Sequence, residues 1–301
     1  MINVVLIADS SYAMPTAVTL ASLFASNKGV VGRVYLLSTG MDDADVKKMA
    51  ALCKANDADF SFVLVDESAL DMYDGIGEWP KYTFMKVLIP DYLPESEETV
   101  VYLDSDMLIL GRIDHLHTDK ALAAVEDIPF TEKHKARCGI AKEHYYINSG
   151  FMVMNLPRWR AAFRQRSIAD HAKVMASKGP INDQDCISSY FAGEVELLPY
   201  EYNVTGVYWA VHNALLPKYG RVWSAARRNP VVVHFTSERK PWIPEVCHPY
   251  KPNFLSYLQA SPYRDYRDRM VVKRKLRFVG NYIYDRARAA LDMLRFLIYR
   301  H

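Results

Sequence analysis

The chain has 301 residues, a formal net charge of +2, 50% hydrophobic and 12% aromatic residues, and no Gly/Ser-rich or Pro-rich tract of the kind that makes a long disordered linker. The opening MINVVLIADSSY has no basic segment, and Asp9 interrupts the apolar run too early for a signal peptide; no apolar stretch approaches the ~20 residues that span a bilayer. Cys53, Cys138, Cys186 and Cys247 form no CxxC pair, which excludes a zinc ribbon, a thioredoxin motif and a disulfide framework, and the expectation is a globular protein kept in the cytoplasm with reduced thiols.

In chain order, NVVLIA (3–8) is a β-branched apolar run bounded by polar residues and predicts a buried parallel strand. MPTAVTLASLFAS (14–26) has Val18, Leu20, Leu23 and Phe24 at helical spacing. RVYLLS (33–38) then predicts a strand, DDADVKKMAALCKA (42–55) a helix, and DFSFVLVD (59–66) a strand. This β-α-β-α-β alternation implies a parallel sheet with right-handed crossovers. KYTFMKVLIPDYL (81–93) is expected as the next helix, and TVVYLDSDMLIL (99–110) as a strand broken toward its end by acids. ALAAVED (121–127) and GFMVMNL (150–156) read as strands, and PRWRAAFRQRSIADHAKVMAS (157–177) as one helix. NDQDCISSYFAG (182–193) reads as a short helix capped by Asn182 or Asp183, and VVVHF (231–235) as a last strand. The expected class is α/β: a Rossmann-like, open, mostly parallel sheet with helices on both faces over residues 1–262, then a basic helical tail over 263–301.

In an open parallel sheet, ligands lie beyond the carboxyl ends of the strands, where IADSSY and LDSDM both fall, so the two loops are expected to face one pocket. Neither strand is followed by GxGxxG or a GxxxxGK loop, so phosphates must be held another way. Asp104 and Asp106 stand at i and i+2 as their strand ends, and carboxylates favour hard cations such as Mg²⁺ or Mn²⁺ that keep positions open for phosphate oxygens. By itself a DxD tripeptide is more often a surface turn; its place directly after VVYL singles it out. His234 ends VVVHF in the same way, where a lone histidine is more often a packed core residue than a ligand. With the two acids it would make an Asp/Asp/His set completed by phosphate oxygens, and the imidazole shifts preference from Mg²⁺ toward Mn²⁺. Lys240 would offer a point charge to a departing diphosphate, against the bland reading of a solvated loop lysine.

IADSSYAMPTAVTLASL, VYLDSDMLIL, YYINSGFMVMNLPRW, INDQDCIS and HFTSERKPW occur in an order and spacing that resemble the retaining glycosyltransferases of family 8, over roughly residues 2–245. That family includes bacterial lipooligosaccharide galactosyltransferases, lipopolysaccharide core glucosyl- and galactosyltransferases, and glycogenin. The resemblance implies a GT-A type fold and a set of site residues. Ala8, Asp9, Ser11 and Tyr12 fall on the family's nucleotide loop, Asp9 meeting the uracil edge and Tyr12 stacking on the base. Asp104 and Asp106, with Ser105 between them, fall on its DxD, His234 on its third metal ligand, and Lys240 on the lysine that meets the phosphates. Asp127 and the Asn148-Ser149-Gly150 turn match donor-sugar contacts, Asp183 an acid that binds sugar hydroxyls, and Gln184 the residue beneath the anomeric carbon. Lys86 stands where close relatives carry arginine, Ser237 where they carry glycine, and Asn148-Ser149-Gly150 replaces a common Asn-Ala-Gly; each leaves donor specificity open.

The expected reaction is transfer of galactose or glucose from a UDP-sugar to a cell-surface saccharide acceptor, dependent on Mn²⁺ with Mg²⁺ as the alternative. Cation and Lys240 would stabilise charge on the departing UDP while the anomeric carbon becomes oxocarbenium-like. Gln184 is a neutral amide and a poor nucleophile, which favours same-face attack with the leaving phosphate as base; Asp183 and Asp185 are the rivals for a double displacement.

Residues 263–301 carry eleven Lys/Arg against four Asp, a net of +7, leaving 26 basic and 31 acidic residues, a net of −5, elsewhere. Leu276, Val279, Ile283, Ala287, Ala290, Leu294 and Leu297 recur at three- and four-residue spacing, with Arg277, Arg288 and Arg295 on another face. Such a helix suits an anionic membrane surface, here the inner face, where lipid-linked acceptors are presented; docking on the catalytic domain or a second subunit is the alternative. Two other functions are open to the sequence. An inverting glycosyltransferase or nucleotidyltransferase also uses paired acids at a strand end. A nucleic-acid-binding protein could use the basic tail, but the body is acidic and the aromatics form no stacking platform.

Overall fold

Residues 1–76, 80–127, 131–206, 217–236 and 238–266 are described in a computed structural model of the chain. Seven of the strands and helices expected above occur within two residues of their predicted limits and two more within three, and the departures cluster around the acidic motif and the proline- and serine-marked helix ends.

The first compact unit comprises Met1–Ser11, Gly29–Asp104 and Ile113–Pro199. Its sheet contains β1 (Ile2–Ile7), β2 (Val31–Ser38), β3 (Asp59–Leu64), β4 (Thr99–Leu103), β6 (Leu122–Glu126), β7 (Ile147–Asn155) and β8 (Val195–Leu197), β5 belonging to the second unit. The spatial order is β3-β2-β1-β4-β7-β6-β8. β1, β2, β3 and β4 pair in parallel, while β7 runs antiparallel to both β4 and β6, giving the mostly parallel sheet expected. Leu6 pairs with Leu103, so the loop after β1 and Asp104 leave neighbouring strands at the same end of the sheet.

The expected helix over 81–93 is a 3-10 stretch, Lys81–Leu88, followed by the single α-turn α3 (Ile89–Tyr92). Pro90 lacks the N–H that a continuous α-helix needs there. The expected helix over 157–177 is two helices, α5 (Leu156–Gln165) and α6 (Ile168–Ala176). Arg166 is extended (φ −147°, ψ 131°), and the Ser167 hydroxyl starts α6 by accepting from Asp170 N at 3.1 Å. α2 (Asp43–Lys54) carries Asp43 and Asp45 in its first turn and Lys54 in its last, complementing the helix dipole. The core packs Tyr73 against Phe84 at 4.8 Å, with Tyr102, Met152, Met154 and Trp159.

The second unit comprises Tyr12–Lys28, Ser105–Arg112 and Tyr200–His301. β5 (Met107–Ile109), β9 (Val204–Thr205) and β10 (Val232–His234) form a sheet in the order β5-β10-β9, with α1 (Ala13–Ser26), α8 (Pro217–Arg228) and α9 (Lys251–Gln259). α1 is buried along nearly its whole length, from Ala13 to Phe24. Its polar side chains do the work of a missing neighbour strand for β5. The Thr19 hydroxyl accepts from Met107 N (3.1 Å) and donates to Met107 O (2.9 Å); the Ser22 hydroxyl accepts from Ile109 N (2.9 Å), and that of Ser26 donates to Ile109 O (2.9 Å). The i, i+3, i+7 spacing puts the three hydroxyls on one helix face, and a strand edge buried without such partners is costly.

TVVYLDSDMLIL is therefore two strands rather than one. β4 ends at Leu103 and pairs with β1 and β7, whereas β5 starts at Met107 and pairs antiparallel with β10, Met107 opposite His234. The chain changes sheets across Asp104-Ser105-Asp106, which frees both carboxylates from strand alternation. The expected basic helix falls almost wholly on residues 267–301, outside the described residues.

Candidate functional site

In the first unit the acids gather around one ammonium. Lys86, 8% exposed, sits in the 3-10 stretch and places Nζ 3.2 Å from Asp104 Oδ1, 2.9 Å from Asp183 Oδ2 and 3.2 Å from Ser149 Oγ. Burial alone would lower its pKa, but Asp104 and Asp183 outweigh it and hold Lys86 above the ordinary lysine value, so it is charged. Ser149 Oγ donates to Asp183 Oδ2 at 2.8 Å, and the Tyr102 hydroxyl donates to Asp104 Oδ1 at 2.6 Å. Tyr102 escaped the sequence reading, although it stands only two residues before Asp104. Asp104 N donates to Gly150 O at 2.8 Å, tying the start of the acidic motif to β7.

Asn148, Ser149 and Gly150 belong to β7 and are strand, not turn; Asn148 Oδ1 accepts from Gly150 N at 3.1 Å. The strand starts earlier than expected because β4 and β6 flank it on both sides and continue the ladder. Asp127, just past β6, takes Gln184 Nε2 on Oδ2 at 2.6 Å, and Gln184 Oε1 takes Ser149 N at 3.2 Å. The amide of Gln184 is thus held at both ends.

Asp183, Gln184 and Asp185 open α7 (Asp183–Tyr190), and Asn182 is its cap. Asn182 Oδ1 accepts from Asp185 N (2.7 Å) while Asp185 Oδ2 accepts from Asn182 N (3.0 Å), a reciprocal capping box. Asp185 is fully buried, and its Oδ1 takes the Tyr146 hydroxyl at 2.8 Å, the Cys138 thiol at 3.3 Å and the Arg137 guanidinium. Burial, with Asp185 beside it, pushes the Cys138 thiol up to about 12 and Tyr146 above the ordinary phenol value.

At the end of β1, Ala8 is buried and donates its N–H to Leu37 O at 3.2 Å. Asp9 is exposed, and its Oδ1 accepts from Ser11 N (2.9 Å) and Ser11 Oγ (2.6 Å), an Asx turn that sets the loop.

In the second unit, His234 ends β10 and is 4% exposed. Its Nδ1 lies 3.0 Å from Asn203 Oδ1 and its Nε2 3.2 Å from Asp106 Oδ1. An amide oxygen on Nδ1 selects the tautomer with its proton there, leaving the Nε2 lone pair facing the Asp106 carboxylate. Two acceptors at that distance repel unless a proton or a cation joins them. Asp106 Oδ2 meets Lys240 Nζ, which also donates to Phe235 O at 2.7 Å. Lys240 lies 5.8 Å from the Trp242 ring centroid, and Trp242 meets the half-exposed Tyr12 edge to face at 5.9 Å. Ser105 is buried, and its carbonyl takes the Thr19 hydroxyl at 3.2 Å. Asn203 was missed because nothing in its sequence neighbourhood marks it. Ser237 lies outside the described residues.

Asp104, Asp106 and His234 each bring one ligand atom within 4.8 Å of the others. One residue of chain links the acids, and strand pairing aligns the residue after Asp106 with His234, so covalent geometry and β-register account for the cluster. Two carboxylates and an imidazole whose Nε2 faces Asp106 fit a hard to borderline divalent cation.

The chain is similar to known proteins along most of its length. Lipopolysaccharide 1,2-glucosyltransferase of Escherichia coli is 23% identical over 280 residues, covering 88% of this chain and 80% of that one. Lipopolysaccharide 1,3-galactosyltransferase of Salmonella typhimurium is 22% identical over 265 residues, covering 85% and 77%. The crystal structure of galactosyltransferase LgtC in complex with donor and acceptor sugar analogs superposes with a TM-score of 0.73 at 21% identity, covering 88% of this chain and 100% of that one, so the fold is the GT-A type. The sequence model of glycosyl transferase family 8 matches residues 3–245, a span that takes in every site residue described above, and the chain belongs to that family.

Proposed function

We propose that the protein is a retaining hexosyltransferase that moves galactose or glucose from a UDP-sugar to a cell-surface saccharide, with Asp104, Asp106 and His234 holding a divalent cation, Mn²⁺ by preference. The observation that carries this reading is the placement of two carboxylates, an imidazole and the Lys240 ammonium around the break between β4 and β5. A cation bound there would act as a Lewis acid toward the departing diphosphate. Lys240, supported by Phe235 O and the Trp242 ring, adds positive charge where negative charge develops. The Asp9 turn and Tyr12 offer a polar edge and an aromatic face to a base.

Three acidic or amide groups compete for the space beneath a sugar ring, and their hydrogen bonds separate them. Asp185 is fully buried with donors on both oxygens, which argues against it as a nucleophile. Gln184 is neutral and held at both ends. Asp183 spends Oδ2 on Lys86 and Ser149. This pattern supports same-face attack with the leaving phosphate as base. Lys86, in contact with Asp104 and Asp183, balances two carboxylates that would otherwise repel one another.

Relatives named as lipopolysaccharide glucosyl- and galactosyltransferases support a lipid-linked saccharide as acceptor, with the enzyme held at the inner membrane face by residues 263–301. Among the described residues no helix is long and apolar enough to cross a membrane. Deleting residues 270–301 is expected to abolish sedimentation with phosphatidylglycerol-containing liposomes while leaving transfer to a soluble acceptor intact; unchanged sedimentation would remove the tail from this role.

The central test is a panel of UDP-sugars incubated with Mn²⁺ or Mg²⁺, scoring release of UDP and the anomeric configuration of the product. Retention with UDP-galactose or UDP-glucose is expected. Inversion, or nucleotidyl transfer without release of UDP, would favour the other enzymes that use paired acids.

A further inference from the structure

We propose that Ser149 is a positioning residue that sets donor-sugar selectivity, by fixing the orientation of the Asp183 carboxylate so that only one of its oxygens is presented to the sugar. The proposal rests on the hexosyltransferase reading of the site.

Asp183 and Ser149 are 7% and 3% exposed, so the contact between them is shielded from water. Oδ2 of Asp183 takes two donors, Ser149 Oγ at 2.8 Å and Lys86 Nζ at 2.9 Å. No hydrogen bond to Oδ1 is present among the described residues. Oδ1 is therefore the oxygen left to accept from a hydroxyl.

The two donors on Oδ2 do different things. An ammonium is a compact charge that imposes distance more than direction, and the terminal torsion of an aspartate is broad, so Lys86 alone leaves the carboxylate plane loosely set. Ser149 supplies the direction. Its hydroxyl accepts from Lys86 at 3.2 Å and must then point its own proton at Asp183, which makes the three groups a directed chain from Nζ to Oγ to Oδ2. A carboxylate whose plane is fixed accepts from a hydroxyl in one position and is left unpaired by the epimer. An unpaired buried acceptor is the situation in which binding sites discriminate best.

The change can be made cleanly. Ser149 N keeps its bond to Gln184 Oε1 whatever the side chain, so the backbone contact of β7 survives the change. In Ser149→Ala the carboxylate of Asp183 loses its directional partner while keeping its counter-charge.

The experiment compares kcat/KM for UDP-galactose and UDP-glucose in the full-length wild type, Ser149→Ala and Ser149→Thr, with a thermal melt of each. The ratio of the two constants within one preparation is independent of how much protein is active. The expected result is that Ser149→Ala reduces the wild-type preference about tenfold, mainly through KM of the favoured donor, and that Ser149→Thr, which retains the hydroxyl, keeps it. A ratio unchanged within about twofold in Ser149→Ala, with both donors slowed alike or neither slowed, overturns the proposal and leaves the transferase reading standing. A wild type that releases UDP from no UDP-hexose overturns both.

Discussion

His234 illustrates how one side chain acquires a role from two neighbours. Asn203 Oδ1 at 3.0 Å holds its Nδ1, and Asp106 at 3.2 Å faces its Nε2. Removing the outer partner should loosen the ring without removing the ligand. Asn203→Ala is expected to raise the Mn²⁺ concentration needed for half-maximal activity about 10- to 100-fold, with kcat at saturating metal reduced far less. Titration of UDP release against Mn²⁺ measures this, and an unchanged requirement would mean that Asn203 only fills space. Asp106→Ala and Asp104→Ala should each lower metal-dependent transfer by about 10²-fold or more, because the developing charge loses its electrostatic partner. Gln184→Ala should keep substantial activity, its amide being neutral and its loss undoing only the contacts to Asp127 and Ser149. Equal and complete loss in Gln184→Ala would sink the same-face reading.

At the level of elements, the position of the Asp104, Asp106 and His234 cluster depends on β5, a strand of three residues that α1 holds through hydroxyls. Short strands of this kind are marginal unless their edges are paired. Ser22→Ala leaves Ile109 N–H buried without its 2.9 Å acceptor and is expected to cost about 1–3 kcal/mol, read as a lower urea midpoint at unchanged slope. Ser22→Thr, which keeps the acceptor, should cost less. α1 was legible in the sequence from Val18, Leu20, Leu23 and Phe24, but nothing local singled out Thr19, Ser22 and Ser26. Their purpose depends on a strand more than eighty residues away, and no local pattern announces such a partner.

For the whole molecule, acid sensitivity should come from histidines that are neutral when folded. Burial pushes His248 down to about 4 from an ordinary 6.5, and His171 is lowered in the same way. An unfolded chain takes up the proton below pH 6.5, whereas the folded one resists until about pH 4, so stability falls as pH drops through that window and levels off beneath it. For the half-buried His248 the loss is on the order of 2 kcal/mol, and His248→Gln should flatten that part of the curve. Urea unfolding at pH 7, 5.5 and 4.5 tests it; parallel curves for wild type and variant would refute the assignment to His248.

The alternation of strands and helices, the lack of a glycine-rich phosphate loop after β1 or β4 and the order of the family motifs could all be read from the residues alone. These are carried by local apolar periodicity and by short strings of residues whose chemistry does not depend on distant partners. Asn182 as cap and Asp185 as its reciprocal acceptor were likewise within reach, because a capping box spans three residues. What needed the folded chain is that VVYL and MLI belong to different sheets, that Asn203 and Tyr102 hydrogen-bond His234 and Asp104, and that Lys86 meets Asp104 and Asp183 across 18 and 97 residues of chain. Each is a hydrogen bond or ion pair between segments remote in sequence, where residue type gives capability and the fold alone gives distance. Asp104 and Asp106 could be recognised as a pair from their spacing; that the chain breaks between two sheets to bring both carboxylates toward His234 could not.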